Sequence, residues 1–284
     1  MNELRELVAA ELGQAVDPRV AAMAKAIAAK HGEASRAVMF YGACLREQQL
    51  DGLMLDFYLI VSDYRAAYSK RWMAAANRLI PPNVFPVQHD GLMAKYAVLS
   101  EADFDRLNGP TTRNVSVWAR FAQPSRLVWA SDEAARVRAI EAVTKAVPTL
   151  LGAAGRQKGE DLLDWWRRAF ALTYSAELRA ERKGRNQSVV DADLKRYRTF
   201  GKAAAPLVGA NSGQWGWRRI EGKALSVLRL AKASATYAGG ADYIAWKINR
   251  HAGTNIHLKP WQKRHPLLAA ISLLPRLLKS GAIR

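Results

Sequence analysis

The sequence predicts an α+β protein: a small mixed sheet with flanking helices, followed by a mostly helical second half. Three observations predict it. Two apolar runs too short for buried helices, Ala37–Gly42 and Leu53–Val61, interrupt helical patterns in the first hundred residues. Val84–Gln88 and Leu92–Leu99 flank Asp90-Gly91, a dipeptide suited to a tight hairpin turn. From residue 101 onward the strand pattern stops and helical spacing takes over.

The elements follow in order. Leu4, Leu7, Val8 and Leu12, then Val20, Met23, Ile27 and Ala28, mark two helices, the second stopped by Gly32. The first strand ends in Gly42, and residues 43–49 have room for one or two helical turns. The second strand is apolar almost throughout, as a strand buried on both faces would be, except for Asp56. A helix is expected over 63–79, capped by Ser62 or Asp63 and ended by Pro81-Pro82. Further helices are expected over 101–107, 114–122, 131–152, 159–183, 190–203, 215–236 and 238–250, with joints near Gln123-Pro124-Ser125 and Gly152–Gly159. The expected domains are 1–125 around the sheet, 126–255 helical with a winged-helix-like core as one form, and a basic tail at 256–284.

Composition narrows the function. A single cysteine, Cys44, excludes a disulfide framework and any multi-cysteine metal site. The first residues carry Glu3, Glu6 and Glu11 in a helical pattern, with no secretory signal, and no run of apolar residues is long enough to span a bilayer. The expected location is cytoplasmic. The net charge is +18, and it is lopsided: residues 1–150 balance to +2 and residues 151–284 to +16. Such a half is suited to an anionic partner, a nucleic acid or an acidic lipid surface, or else is a solvated basic face.

The chemistry centres on Gly42 and Asp56. A strand ending in glycine lets the chain turn close to a triphosphate, with free backbone N–H groups to hold it. An ionised carboxylate in an apolar strand costs several kcal/mol unless a cation or hydrogen bonds compensate it, on the order of magnitude usual for buried charge. Asp56 therefore reads either as a Mg²⁺ ligand or as a buried, hydrogen-bonded acid. This front end resembles the nucleotidyltransferase fold of the DNA polymerase β superfamily.

A closer resemblance is carried by five segments in order. Phe40-Tyr41-Gly42-Ala43, Leu55–Asp63, Gly91–Ser100, Ala119–Pro124 and Tyr174–Glu177 with Arg179 are similar to the corresponding motifs of the mitochondrial-type CDP-diacylglycerol synthases, the translocator assembly and maintenance family. The resemblance implies that CMP passes from CTP to phosphatidate at a membrane surface, with release of pyrophosphate. It implies Mg²⁺ as cofactor with Asp56 as ligand, and Lys95 and Arg120 as phosphate-neutralising catalytic groups. Tyr41, Gly42, Ala43, Ser175, Glu177 and Arg179 would line the nucleotide site. Two departures stand out. Ala43 takes the place of a serine, which removes a hydroxyl contact. Tyr58, two residues after Asp56, is no acid, so the second metal ligand must come from Asp51, Asp63 or Asp90; Asp90 is assigned here. Each has a plain alternative, as turn residue, helix cap and hairpin residue respectively, and His89 beside Asp90 reads as a surface histidine.

Residues 261–284 place Leu267, Leu268, Ile271, Leu274 and Leu278 at helical spacing beside Lys263, Arg264, Arg276, Lys279 and Arg284, with Trp261 near the start. This is the profile of an interfacial helix, or of a terminal helix docked on its own core. The partners expected are phosphatidic acid and the anionic inner face of the cell membrane. Trp165-Trp166-Arg167-Arg168 and Trp215–Arg219 interleave aromatics with arginines, as headgroup or base contacts do and as core tryptophans with exposed neighbours also do. Two other functions fit the same residues: nucleotidyl transfer to RNA or a small molecule, and a non-catalytic nucleic-acid binder.

Overall fold

A sheet of five strands divides the core in two, and its strand order, β3-β4-β2-β1-β5, brings distant parts of the chain side by side. The computed structural model describes residues 2–47, 50–176, 189–209 and 215–236. The expected helix over 238–250 and the tail at 256–284 lie outside the described residues.

Helices α1 (Asn2–Leu12) and α2 (Pro18–Ala29) lead in; Asp17 caps α2, and Pro18 sits in its first turn, where its missing N–H is no loss. Strand β1 (Ser35–Tyr41), α3 (Ala43–Glu47) and β2 (Met54–Val61) follow as expected. The helix predicted over 63–79 is two: α4 (Tyr64–Ala67), capped by the Asp63 side chain, and α5 (Arg71–Leu79). Between them Tyr68 turns extended and buries its ring. Strands β3 (Asn83–His89) and β4 (Leu92–Ser100) form the predicted hairpin, with Asp90 and Gly91 both at positive φ, as its turn requires. Strand β1 is antiparallel to β2, and β2 is parallel to β4.

Helix α6 (Glu101–Asn108) starts at the Ser100 cap. Of the helix expected over 114–122 only α7 (Trp118–Phe121) forms, because Thr112 and Asn114 turn their side chains onto the backbone of the loop before it. Strand β5 (Ser125–Ala130) was not expected; it pairs antiparallel with β1 and extends the sheet past residue 125. The stretch 131–152 divides into α8 (Glu133–Thr144) and α9 (Ala146–Ala154), since Pro148 has no N–H for the carbonyl of residue 144 and its ring crowds that carbonyl. Helices α10 (Leu162–Ala176), α11 (Leu194–Ala204) and α12 (Trp215–Thr236) complete the described chain. Asp193 caps α11 and sets its start later than 190. Every element described between 131 and 236 is helical.

The alternation of strand residues sorts the core. Val38, Phe40, Phe57, Leu59 and Val98 face α2 and α4 to α5; Met39, Tyr58, Ile60, Ala97 and Leu99 face α1 and the helices that follow β4. The second cluster runs without a break from the sheet into α8–α11, so the helical half is packed on the sheet itself. Among the described residues no helix is long and apolar enough to cross a membrane.

Candidate functional site

Strand register builds the site. Tyr41 is the last residue of β1 and lies opposite Asp56 on β2; Asp56 lies beside Lys95 on β4; Ser125 of β5 lies opposite Tyr41. Residues paired across strands point to the same face, so these side chains form one row. The next row inward holds Tyr58, which is buried. The row of Asp56 is therefore the rim of the sheet on that face, partly open at Asp56 and Lys95 and closed at the β5 end, where Ser125 is buried.

The carboxylate of Asp56 is held from two sides. Lys95 Nζ stands 2.9 Å from Oδ1, with the two side chains 25% and 22% exposed. Gly42, at φ +99°, closes on the other oxygen: a Cβ there would stand 2.8 Å from Asp56 Oδ2. Only glycine permits both the left-handed turn and the approach. Gly42→Ala should cost about 1–2 kcal/mol of folding stability from the strained φ alone, measured by urea unfolding. It should also push the carboxylate off Lys95. A variant of wild-type stability would mean that the turn relaxes freely.

Arg120, on α7, completes the group. Its guanidinium donates to the Ser116 carbonyl and to Tyr41. Burial pushes the Tyr41 phenol well above its ordinary range; the negative charge of Asp56 adds to this and Arg120 opposes it. Tyr41 thus stays protonated at neutral pH. Its ring rests on Tyr58 and Phe121, at 5.3 and 6.1 Å between centroids. Two cations and one acid around a half-open rim favour a polyanion.

The loop that carries α7 had no place in the sequence reading. Asn114 Oδ1 accepts from the Ser116 N–H at 3.0 Å and the Ser116 hydroxyl at 2.8 Å. Buried Arg218 of α12 donates to the carbonyls of Thr112 and Arg113, both at 3.0 Å. The polar run Thr111–Asn114, leading into the helix expected over 114–122, was the available signal.

Tyr41, Gly42, Asp56, Lys95 and Arg120 are thus gathered, with Ala43 as the first residue of α3. Asp90 is not. It sits at the hairpin tip, its carboxylate 3.4 Å from His89 Nε2, and the strand carries Lys95 roughly 10 Å from Leu92 before that turn begins. Asp51 pairs with Arg19 in a turn, and Asp63 caps α4 while pairing with Arg78. Ser175 is exposed on α10; its hydroxyl donates to the Leu172 carbonyl and accepts from Arg219. Glu177 and Arg179 lie outside the described residues. Trp165 and Trp166 are core, and Arg167 and Arg168 are committed to Asp164, Asp191 and Glu160.

The residues can accept Mg²⁺ in the manner usual for that ion, which takes one or two carboxylates and completes its shell with water and phosphate oxygens. Asp56 supplies one such carboxylate, partly open. Among the described residues no group of three or more His, Cys, Asp or Glu is gathered into a ready metal cage.

No protein-family model matches the chain, and no curated protein matches it at a significant level.

Proposed function

We propose that this chain is a nucleotidyltransferase that moves CMP from CTP to phosphatidate, giving CDP-diacylglycerol and pyrophosphate at the inner face of the membrane. One observation supports nucleotidyl transfer above the alternatives. The acid of the apolar strand stands at a partly open rim against the Gly42 turn, paired with Lys95 and with Arg120 bound to the neighbouring Tyr41. An acid kept only for structure needs no glycine turn at contact distance and no second cation. CTP and phosphatidate come from the resemblance of the five segments, and the basic second half is suited to an acidic lipid surface.

In this reading Asp56 would hold Mg²⁺, which supplies charge neutralisation for the triphosphate and the attacking oxygen. The chain's own residues do the rest. Lys95 leaves Asp56 for a phosphate oxygen, as a mobile point charge can. Arg120 offers its planar fork from a guanidinium already anchored on Ser116. Protonated Tyr41 holds Arg120 in place and can donate to an anion. A phosphatidate oxygen attacks the α-phosphorus, and the bond to pyrophosphate breaks. Little covalent work is required of the protein, so positioning and charge carry the rate.

The test is pyrophosphate release by purified protein with CTP, Mg²⁺ and phosphatidate in mixed micelles. Release that needs all three is expected. Release only with RNA as acceptor would move the reading to RNA modification, and none with any nucleotide would remove it.

A further inference from the structure

Helix α12 is amphipathic in the wrong sense for a core helix. Trp217, Ile220, Ala224, Val227 and Leu228 fall on one stripe, and that stripe is outside. Trp217 is 65% exposed and Ile220 63%. Of the eight large hydrophobic side chains exposed among the described residues, four belong to this stripe, so it is a continuous feature and no scatter of single residues. The opposite side is pinned down: Trp215 packs against the core and donates to the Ala153 carbonyl at 2.9 Å. Arg218 bonds the 112–113 carbonyls, and Gly222 passes so close to the Ala176 carbonyl that a Cβ would stand 2.2 Å away. Arg229 and Lys232 donate to the carbonyls of Ile80, Pro81 and Pro82. A helix held by its cations and its glycine cannot roll its apolar stripe inward.

We propose that this stripe is a docking surface for an anionic bilayer. The inference rests on the membrane-surface part of the proposed function and assigns it to α12, not to the tail. Charge selects the partner. Exposed Arg219 and Lys223 border the stripe, while the one acid of the helix, Glu221, is paired with Arg113 at 3.1 Å. Leu79, 78% exposed, and Arg78 continue the same composition next to the Ile80 carbonyl that Lys232 grips. A second copy of a chain carrying +18 would bring cation against cation. The chain's own residues 261–284 hold five basic residues and no acid, and so are no better matched. Nucleic acid would meet the charge but has no use for four large apolar side chains. Acidic headgroups over an acyl boundary meet both, and tryptophan is the residue that settles at that boundary.

The experiment is co-sedimentation of the full-length protein with vesicles of phosphatidylcholine, alone or with phosphatidylglycerol. Binding is expected only where the acidic lipid is present. Ile220→Asp and Leu228→Asp should each weaken it about tenfold or more, since each withdraws a large side chain from the apolar layer. Lys223→Gln, which touches no packing, should weaken it about fivefold. Unchanged vesicle binding in all three variants would overturn the proposal. So would a dimer, seen by analytical ultracentrifugation, that Ile220→Asp dissociates. CTP binding is measured on the same samples. Vesicle binding lost in the variants while wild-type protein ignores CTP would sink the proposed function and leave this inference standing; the reverse pattern would do the opposite.

Discussion

Asp56→Asn should lower the proposed transfer of CMP by about 10²–10³-fold in kcat/KM, the usual loss when one preorganised charge contact is removed from a reacting site. The substitution is nearly isosteric, and the amide oxygen can still accept from Lys95, 2.9 Å away in the wild type. The ion pair is about a quarter exposed, so its loss should cost folding only about 1 kcal/mol. Large kinetic loss with small loss of stability is thus the signature of a working acid. The opposite reading makes the opposite forecast: an acid kept only to satisfy Lys95 would give a variant that melts a little earlier and turns over unchanged. Lys95→Met separates the roles further. On the proposed mechanism it leaves the carboxylate free to hold a cation but removes the charge that would meet phosphate, so CTP binding should weaken while a dependence on Mg²⁺ remains.

Arg196→Ala should cost about 3–5 kcal/mol of folding free energy, a large part of what holds a domain together. Arg196 of α11 makes a two-pronged ion pair with Glu11 of α1, one prong at 2.9 Å, and donates to the Ala122 carbonyl at 3.1 Å. Its guanidinium lies over Phe200 at 4.3 Å. Both charged side chains are nearly buried, at 7% and 12% exposure. Removing one partner strands the other charge; removing both together strands none. Urea unfolding of Arg196→Met with Glu11→Leu should therefore recover much of the loss. A double variant no more stable than Arg196→Ala would show that the aromatic stacking, and not the stranded acid, sets the cost. The contact bears on the site as well, since Ala122 closes the short helix that carries Arg120.

Local chemistry was legible in the sequence wherever it was decided by neighbours in the chain. The Asp90-Gly91 hairpin, the Asp63 cap, the proline stop after α5 and the first four strands all follow from propensity and period. The hairpin was legible enough to argue against its own metal assignment, because a residue at a turn tip is remote from the middle of the neighbouring strand. Strand β5 was not legible. Ser125–Ala130 is an edge strand with one partner, only partly buried, and Arg126 and Trp129 obscure any alternation. Nor was register. That Lys95 stands beside Asp56 depends on a parallel pairing joined through α4, α5 and β3, and no local pattern reports it. The resemblance named both residues; only the sheet makes them neighbours. The inverted face of α12 lay hidden for a related reason, since a helical stripe looks the same whether the partner is a core or a solvent boundary.

The pairing of Lys95 with Asp56 also bears on how the chain folds. A lone carboxylate at the sheet rim would make folding conditional on a divalent ion, and a chelator would then act as a denaturant. Here the chain brings its own counter-ion. The polypeptide can fold with that charge already answered, and in the proposed reaction the ammonium would have only to step aside for a phosphate.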